Sequence, residues 1–189
     1  MVSKKPRAVS YRRRRNQQTD YRKRLSLLKS RLPRIVVRLS NKRITMQVVE
    51  FHPDGDKVLL TIDSSMLTSF GWKHSVRNLP AGYLTGYLLG KRANVKECIV
   101  DTGLLQPLKG SLIYAAVKGA MDAGLNVRVD QAIFPSEERS TGAHIASYAE
   151  SLKKDNADLY QKMFSNVIKN GADPTKIVAD VETVRSKLQ

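Results

Sequence analysis

The sequence predicts an α/β layered domain with a mixed, partly antiparallel sheet, flanked by a basic N-terminal arm and a helical C-terminal extension. Three observations predict it. First, Met1 to Arg43 carry 16 Lys+Arg and one acid, Asp20, so +15; from totals of 33 basic and 17 acidic residues, the rest of the chain keeps 17 basic and 16 acidic, so only +1. Second, the stretch after the arm reads as an N-terminal β-meander and then α-β-α-β. Third, only helical periodicity follows Pro135. The expected division is therefore 1–33 for the arm, 34–134 for the α/β body and 135–189 for the extension.

In the arm, Ser3-Lys4-Lys5-Pro6-Arg7 is polar and broken by proline, and Tyr11-Arg12-Arg13-Arg14-Arg15 follows. Thr19 or Asp20 can N-cap a short helix with Leu25 and Leu28 on one side, closed by Pro33. So dense a basic segment repels itself and is expected to be largely disordered when alone.

The body opens with three strands. Arg34 to Leu39 is rich in β-branched residues, Ser40-Asn41-Lys42-Arg43 is a polar turn, and Ile44 to Phe51 alternates imperfectly. Pro53-Asp54-Gly55-Asp56 is a strong turn signal before Lys57 to Asp63, which completes the antiparallel meander. Asn78 can cap a helix running to about Asn94, in which Gly82, Gly86 and Gly90 recur every four residues. Glycine costs about 1 kcal/mol per interior helical position relative to alanine, so three on one face imply close packing. A strand from Val95 to Asp101 and a helix from about Lys109 to Ala123, ended by Gly124, come next. Leu125 to Val129 makes a last short strand.

In the extension, Ser140 or Thr141 can cap a helix bearing Ile145, Tyr148, Ala149 and Leu152. A second helix is expected from about Asp155 to Asn170, with Leu159, Met163, Phe164, Val167 and Ile168 as its apolar stripe. Asp173-Pro174 is an N-cap and N1 pair for a third, bearing Ile177, Val181, Val184 and Leu188. From Glu137 onward eight basic residues balance eight acidic ones, so this tail is expected to pack on something rather than grip a polyanion.

Several function classes drop out. The lone Cys98 forbids an intramolecular disulfide and, set in a strand-like run, fits a reducing compartment. The N-terminus lacks the apolar run of a secretory signal, and its arginines are contiguous rather than amphipathic, unlike a transit peptide. The apolar stretch from Leu79 to Gly90 is too short to span a bilayer, so no membrane is expected. Ile99-Val100-Asp101-Thr102-Gly103 resembles the Asp-Thr-Gly turn of aspartic proteases, but those need two copies in an all-β setting. One copy in an α/β pattern reads as a strand-end turn. His52, His74 and His144 are far apart with no cysteine cluster, and no phosphate-binding glycine loop is present, so no metal, cofactor or active site is expected.

Positive chemistry lies in the arm. Arginine presents a planar, permanently charged fork for bidentate phosphate contacts, and its plane can stack on bases. Tyr11 and Tyr21 flank the two basic clusters, where their rings can stack on unpaired bases. With Arg34, Arg38, Lys42 and Arg43 continuing the charge onto the first hairpin, nucleic-acid binding outweighs a localisation or solubilising run. No helix-turn-helix, zinc finger or basic zipper is evident, which favours an arm folding along irregular RNA over base readout in a DNA groove. A general nucleic-acid-coating protein is the alternative.

Beyond these single features, an ordered series of segments resembles the archaeal form of the 5S rRNA-binding large-subunit ribosomal protein family, L-eighteen (L-five in eukaryotes). The series is Tyr11 to Arg15, Thr19 to Leu25, Pro33 to Lys42, Ala81 to Gly86, Gly119 to Gly124 and Gly142 to Ala146. The resemblance implies a non-enzymatic constituent of the ribosome's central protuberance that grips 5S rRNA and joins it to the large rRNA. Its partners would be 5S rRNA, large-subunit rRNA and neighbouring ribosomal proteins, with no homo-oligomer, in the cytoplasm. Carried over by position, the expected RNA contacts are Lys4, Lys5, Arg7, Tyr11, Arg12, Arg13, Arg14, Arg15, Tyr21, Arg22, Lys23, Arg24 and Arg31 of the arm. Arg34, Arg38 and the Ser40, Asn41, Lys42, Arg43 turn complete the set. Leu39 stands where many relatives are expected to carry a basic residue. The tail stops short of the eukaryotic form, which points to an archaeal source.

Overall fold

The computed structural model describes residues 9–106 and 108–188. A single turn of helix, α1 (Arg12–Arg15), and a longer helix, α2 (Tyr21–Leu28), precede the sheet. Strands β1 (Arg34–Leu39), β2 (Ile44–Glu50) and β3 (Lys57–Asp63) form the antiparallel meander. On the other side of β1, β4 (Glu97–Asp101) and β5 (Asn126–Val127) add in parallel, giving the order β3-β2-β1-β4-β5. Both expected strands 95–101 and 125–129 are shorter than their sequence signals.

Period-two alternation divides the sheet's two faces. Ile35 and Val37 of β1, Ile44, Met46 and Val48 of β2, Ile62 of β3 and Cys98 of β4 are buried in the main core. Arg34, Val36 and Arg38 alternate with Ile35 and Val37 and so point to the opposite face. The imperfect alternation around Val48-Val49 has a physical cause: Val48 pairs with Leu60 but Val49 with Val58, so Leu59 is an additional residue in β3.

The core face is covered by α3 (Leu79–Arg92), which lies on the sheet and packs against α4 (Leu112–Asp122). Asn78 caps α3 by accepting the Ala81 amide at 2.8 Å. The glycine face of α3 meets α4, not the sheet. A Cβ at Gly90 would sit 2.6 Å from the Ala120 carbonyl oxygen, and one at Gly86 would collide with the carbonyl of Ala116. From the other side, Gly119 of α4 meets the backbone of Tyr83. Here two helix backbones touch with no side chain between them.

The C-terminal region runs through α5 (Glu137–Thr141), α6 (Ala143–Asp155), α7 (Ala157–Met163), α8 (Ser165–Lys169) and α9 (Ile177–Lys187). The single helix expected over 155–170 is instead two. Asn156 caps the first, and Phe164, at φ −101° and ψ 17°, leaves helical geometry between them. Asp173 accepts the Thr175 amide at 3.1 Å and starts a tight 3-10 turn that runs into α9. Ile177, Val181, Val184 and Leu188 then enter the main core. His74 Nε2 lies 2.7 Å from Asp180 Oδ2, and the Arg185 guanidinium lies over the Tyr83 and Tyr87 rings, so α9 is fastened to the body at both ends. By contrast Tyr148, Leu159, Met163 and Ile168 are exposed, so the apolar stripe over α6 to α8 faces outward in part.

The backbone contact makes a stability prediction. Gly86→Ala gains helix propensity but drives a methyl group into the Ala116 carbonyl, and overpacking of this kind costs about 1–3 kcal/mol. Urea unfolding of the variant should show a lower midpoint than wild type; a midpoint unchanged or raised would mean that the α3–α4 contact is loose.

Candidate nucleic-acid interface

Four consecutive arginines in one turn radiate around its axis, because successive residues are 100° apart, so α1 presents charge in all directions rather than on one face. Arg12, Arg13, Arg14 and Arg15 are all exposed. The turn is braced by Arg13 Nε, which donates to Thr19 Oγ1 at 2.8 Å. Asp20 begins α2, accepting the amides of Arg22 and Lys23 at 2.9 and 3.1 Å. Tyr11 and Tyr21, which flank the two basic clusters in the sequence, come together in space. Their rings meet at 5.2 Å and 44°, linking the two basic segments. The helix expected to run up to Pro33 ends at Leu28, and Arg31 sits at φ +56° in the connection to β1.

α2 sorts its cations by face. Arg22 and Lys29 are exposed, and with Ser26 they are spaced to share the outward side. Lys23, Arg24 and Leu27 line a cleft of about 730 Å³ between α2 and the sheet, together with Arg13, Val36, Arg38 and Val49. Across this cleft Lys23 Nζ donates to Thr102 Oγ1 and to the Gly103 carbonyl, both at 2.8 Å. Arg24 Nη2 donates to Asp56 Oδ1 at 2.8 Å. Lys29 was absent from the expected contacts, although its spacing from Arg22 was readable once the helix had been placed.

One expected contact is corrected. Arg34 is buried, with 2% of its surface exposed, and its guanidinium is committed to two carboxylates. Nη2 donates to Asp56 Oδ2 at 2.5 Å and Nη1 to Asp101 Oδ2 at 2.8 Å. Placed on the face of β1 opposite the main core and covered by α2, Arg34 does not reach solvent, so it offers phosphate no accessible donor. Its Nε has no hydrogen-bond partner among the described residues. The carboxylates on either side offset the cost of removing such a charge from water.

Asp101 uses both oxygens: Oδ2 holds Arg34 and Oδ1 accepts the Gly103 amide at 2.8 Å. The Asp-Thr-Gly turn is therefore a charge partner and a landing point for Lys23. Arg38 is half-exposed, its Nη1 donating to the Asp101 carbonyl at 3.0 Å. At the hairpin turn, Ser40 is occupied in closing the loop, its hydroxyl donating to the Arg43 carbonyl and accepting the Arg43 amide, each at 3.0 Å. Asn41 and Lys42 are exposed, and Arg43 lies 3.7 Å from Asp63. Lys4, Lys5 and Arg7 lie outside the described residues. Asp56, Thr102 and Gly103 are the participants that sequence reasoning missed; Asp56 was visible only as part of a turn signal.

Other chemistry is sparse among the described residues. No three or more His, Cys, Asp or Glu side chains are grouped to hold a metal ion. Burial pushes the Cys98 thiol up to about 11, with Glu97 adding to the effect, so it stays protonated near neutrality. No described helix is long and apolar enough to cross a membrane.

The family described as "Ribosomal large subunit proteins 60S L5, and 50S L18" matches residues 6–98, which include the arm helices, the meander, α3 and the start of β4. The large ribosomal subunit protein uL18 of Korarchaeum cryptofilum is 45% identical over 183 residues, covering 95% of this chain and 93% of that protein. The uL18 of Sulfurisphaera tokodaii is 44% identical over 185 residues, covering 96% and 94%. The uL18 of Aeropyrum pernix is 42% identical over 185 residues, covering 96% and 86%. The chain belongs to the uL18 family. These archaeal relatives match the uL18 chain from the arm through the C-terminal helices, agreeing with the archaeal form that the sequence resembles.

Two expectations follow for this uL18 chain. Asp101→Asn removes one of the two carboxylates that hold the buried Arg34 and leaves Asp56 as its remaining charge partner, a loss of about 1–3 kcal/mol. Urea denaturation should show that loss, and a shift below about 1 kcal/mol would mean that water or rearrangement replaces the carboxylate. The second concerns Asp63. Burial alone would raise its pKa, but hydrogen bonds from the Ser65 amide and hydroxyl and from Thr45, with the nearby Arg43, lower it overall. A carboxyl depressed by folding stabilises above its unfolded pKa, and that contribution disappears as pH falls through the folded value. The stability gap between wild type and Asp63→Asn should therefore be full near about pH 5 and shrink as pH falls below the ordinary aspartate value of about 3.9. Unfolding across that range checks it, and a gap that widens with acid would reverse the sign.

Proposed function

We propose that this uL18 chain is a non-enzymatic structural constituent that binds 5S rRNA and helps attach it to the large rRNA in the central protuberance. The observation that carries the reading is the segregation of charge together with the exposure of α1 and the outer side of α2. Residues 1–43 hold +15 of the net +16, and Arg12 to Arg15, Arg22 and Lys29 are exposed without a carboxylate partner within salt-bridge distance among the described residues. Phosphate neutralisation supplies affinity, and RNA shape with a few exposed bases supplies specificity.

In this reading residues 1–33 are the gripping arm, 34–134 the platform and 135–189 an extension fastened through α9. Arg38, Asn41, Lys42 and Arg43 continue the contact surface along the first hairpin, and the Tyr11–Tyr21 pair offers aromatic faces to unpaired bases. The exposed Tyr148, Leu159, Met163 and Ile168 on α6 to α8 suit neighbouring ribosomal proteins better than phosphates.

Labelled 5S rRNA challenged with unlabelled 5S rRNA, an unrelated RNA of equal length and duplex DNA tests the reading. Displacement by 5S rRNA alone is expected. Equal displacement by all three would leave a general nucleic-acid-coating protein. Replacing Arg12 to Arg15 by alanine should weaken binding and flatten the slope of log affinity against log salt by about 3, at roughly 0.7–0.9 for each phosphate no longer neutralised. An unchanged slope would remove α1 from the interface.

A further inference from the structure

We infer that Asp56, an acidic residue in a strongly basic molecule, is a positioning residue for the RNA-contact face: it clamps α2 onto the sheet so that the arm meets RNA already folded. The inference rests on the reading of the arm as the RNA grip. Asp56 lies in the β2–β3 turn, and each of its carboxylate oxygens holds a different arginine. Oδ1 takes Arg24 of α2 at 2.8 Å, and Oδ2 takes the buried Arg34 of β1 at 2.5 Å. Arg34 passes the link to Asp101, whose neighbours Thr102 and Gly103 receive Lys23. The helix is therefore pinned from two adjacent residues onto two separate loops of the body. That leaves Arg22 and Lys29 on the free side, where they can face phosphate together.

Charge and position make opposite predictions, so the assignment can be decided. To a polyanion, removing any exposed or half-exposed acid near the interface should look like an increase in affinity. If Asp56 positions α2, its removal must do the reverse, because affinity falls by the fraction of molecules in which the helix is docked. Asp54 supplies the matched control. It sits in the same turn, two residues away, is 93% exposed, and its only salt-bridge partner among the described residues is His52 at 3.5 Å.

The experiment is 5S rRNA binding by the full chain at several salt concentrations for wild type, Asp56→Asn, Asp54→Asn and Asp56→Glu. Asp56→Asn should weaken binding about tenfold if docking falls to about a tenth, with the salt slope kept because every phosphate-facing cation is still present. Asp54→Asn should bind as well as wild type or slightly tighter, and Asp56→Glu should recover part of the affinity. Trypsin should cut after Lys23 and Arg24 faster in Asp56→Asn than in wild type, while circular dichroism reports an intact body. Equal or tighter binding by Asp56→Asn, matching Asp54→Asn, would overturn the assignment.

Should Asp56→Asn fail to fold, Arg24→Gln against Arg22→Gln decides the same point. Both remove one charge, but only the outward Arg22→Gln should flatten the salt slope, and a flattening by Arg24→Gln would overturn the inward role. A wild-type chain with no preference for 5S rRNA over unrelated RNA would defeat the reading under Proposed function instead. The variant ratios, measured on whichever RNA binds, would still judge Asp56.

Discussion

A guanidinium buried beside the sheet joins two electrically dissimilar parts of this molecule. Arg34 belongs by sequence to the basic end and by position to the neutral body, and Asp56 and Asp101 hold it from two sides. Isolated burial of such a charge would be prohibitive. The paired carboxylates make it tolerable, and the same carboxylates supply the attachment for Arg24 and a turn that receives Lys23. The register of β1 against β4 sets Val36 opposite Asp101, and the β2–β3 turn brings in Asp56. The strand pairing, the docking of α2 and the direction in which the remaining arginines point therefore share one ionic junction.

That junction also explains what the sequence could and could not show. Strands over 34–39, 44–50 and 57–63 were legible because β-branched runs end at strong turn signals, and the Asn78 and Asp173 caps marked their helix and turn starts. Charge content identified the arm but not its pairing. In a one-dimensional count Arg34 and Arg22 look alike, yet alternation along β1 sends one beneath α2, while helical spacing sends the other outward. Asp56 and Asp101 lie 22 and 67 positions from Arg34, and nothing local announces that three separated charges converge. The break at Phe164 was hidden for a similar reason: the apolar spacing of 155–170 suits a continuous helix, and the interruption lies in backbone angles that residue types do not encode strongly.

Membership in the uL18 family and the physical reading meet at the arm, but they contribute differently. Relatedness over nearly the whole chain assigns the molecule to a family of large-ribosomal-subunit proteins. The geometry adds a distinction among its cations. Some are tied internally and hold the platform together, whereas those on α1 and the outward side of α2 have solvent in front of them. The effective charge offered to a polyanion is consequently smaller, and more directional, than the composition of the first 43 residues suggests.

The glycine-lined meeting of α3 and α4 has a further consequence. Where Gly86 and Gly119 bring backbone against backbone, sliding either helix by one residue would place a side chain where only hydrogen fits. Ordinary apolar helix faces tolerate several nearly equivalent alignments, since leucines and valines can exchange pockets. This pair tolerates one. It works as a gauge that fixes how far α3 can slide along α4.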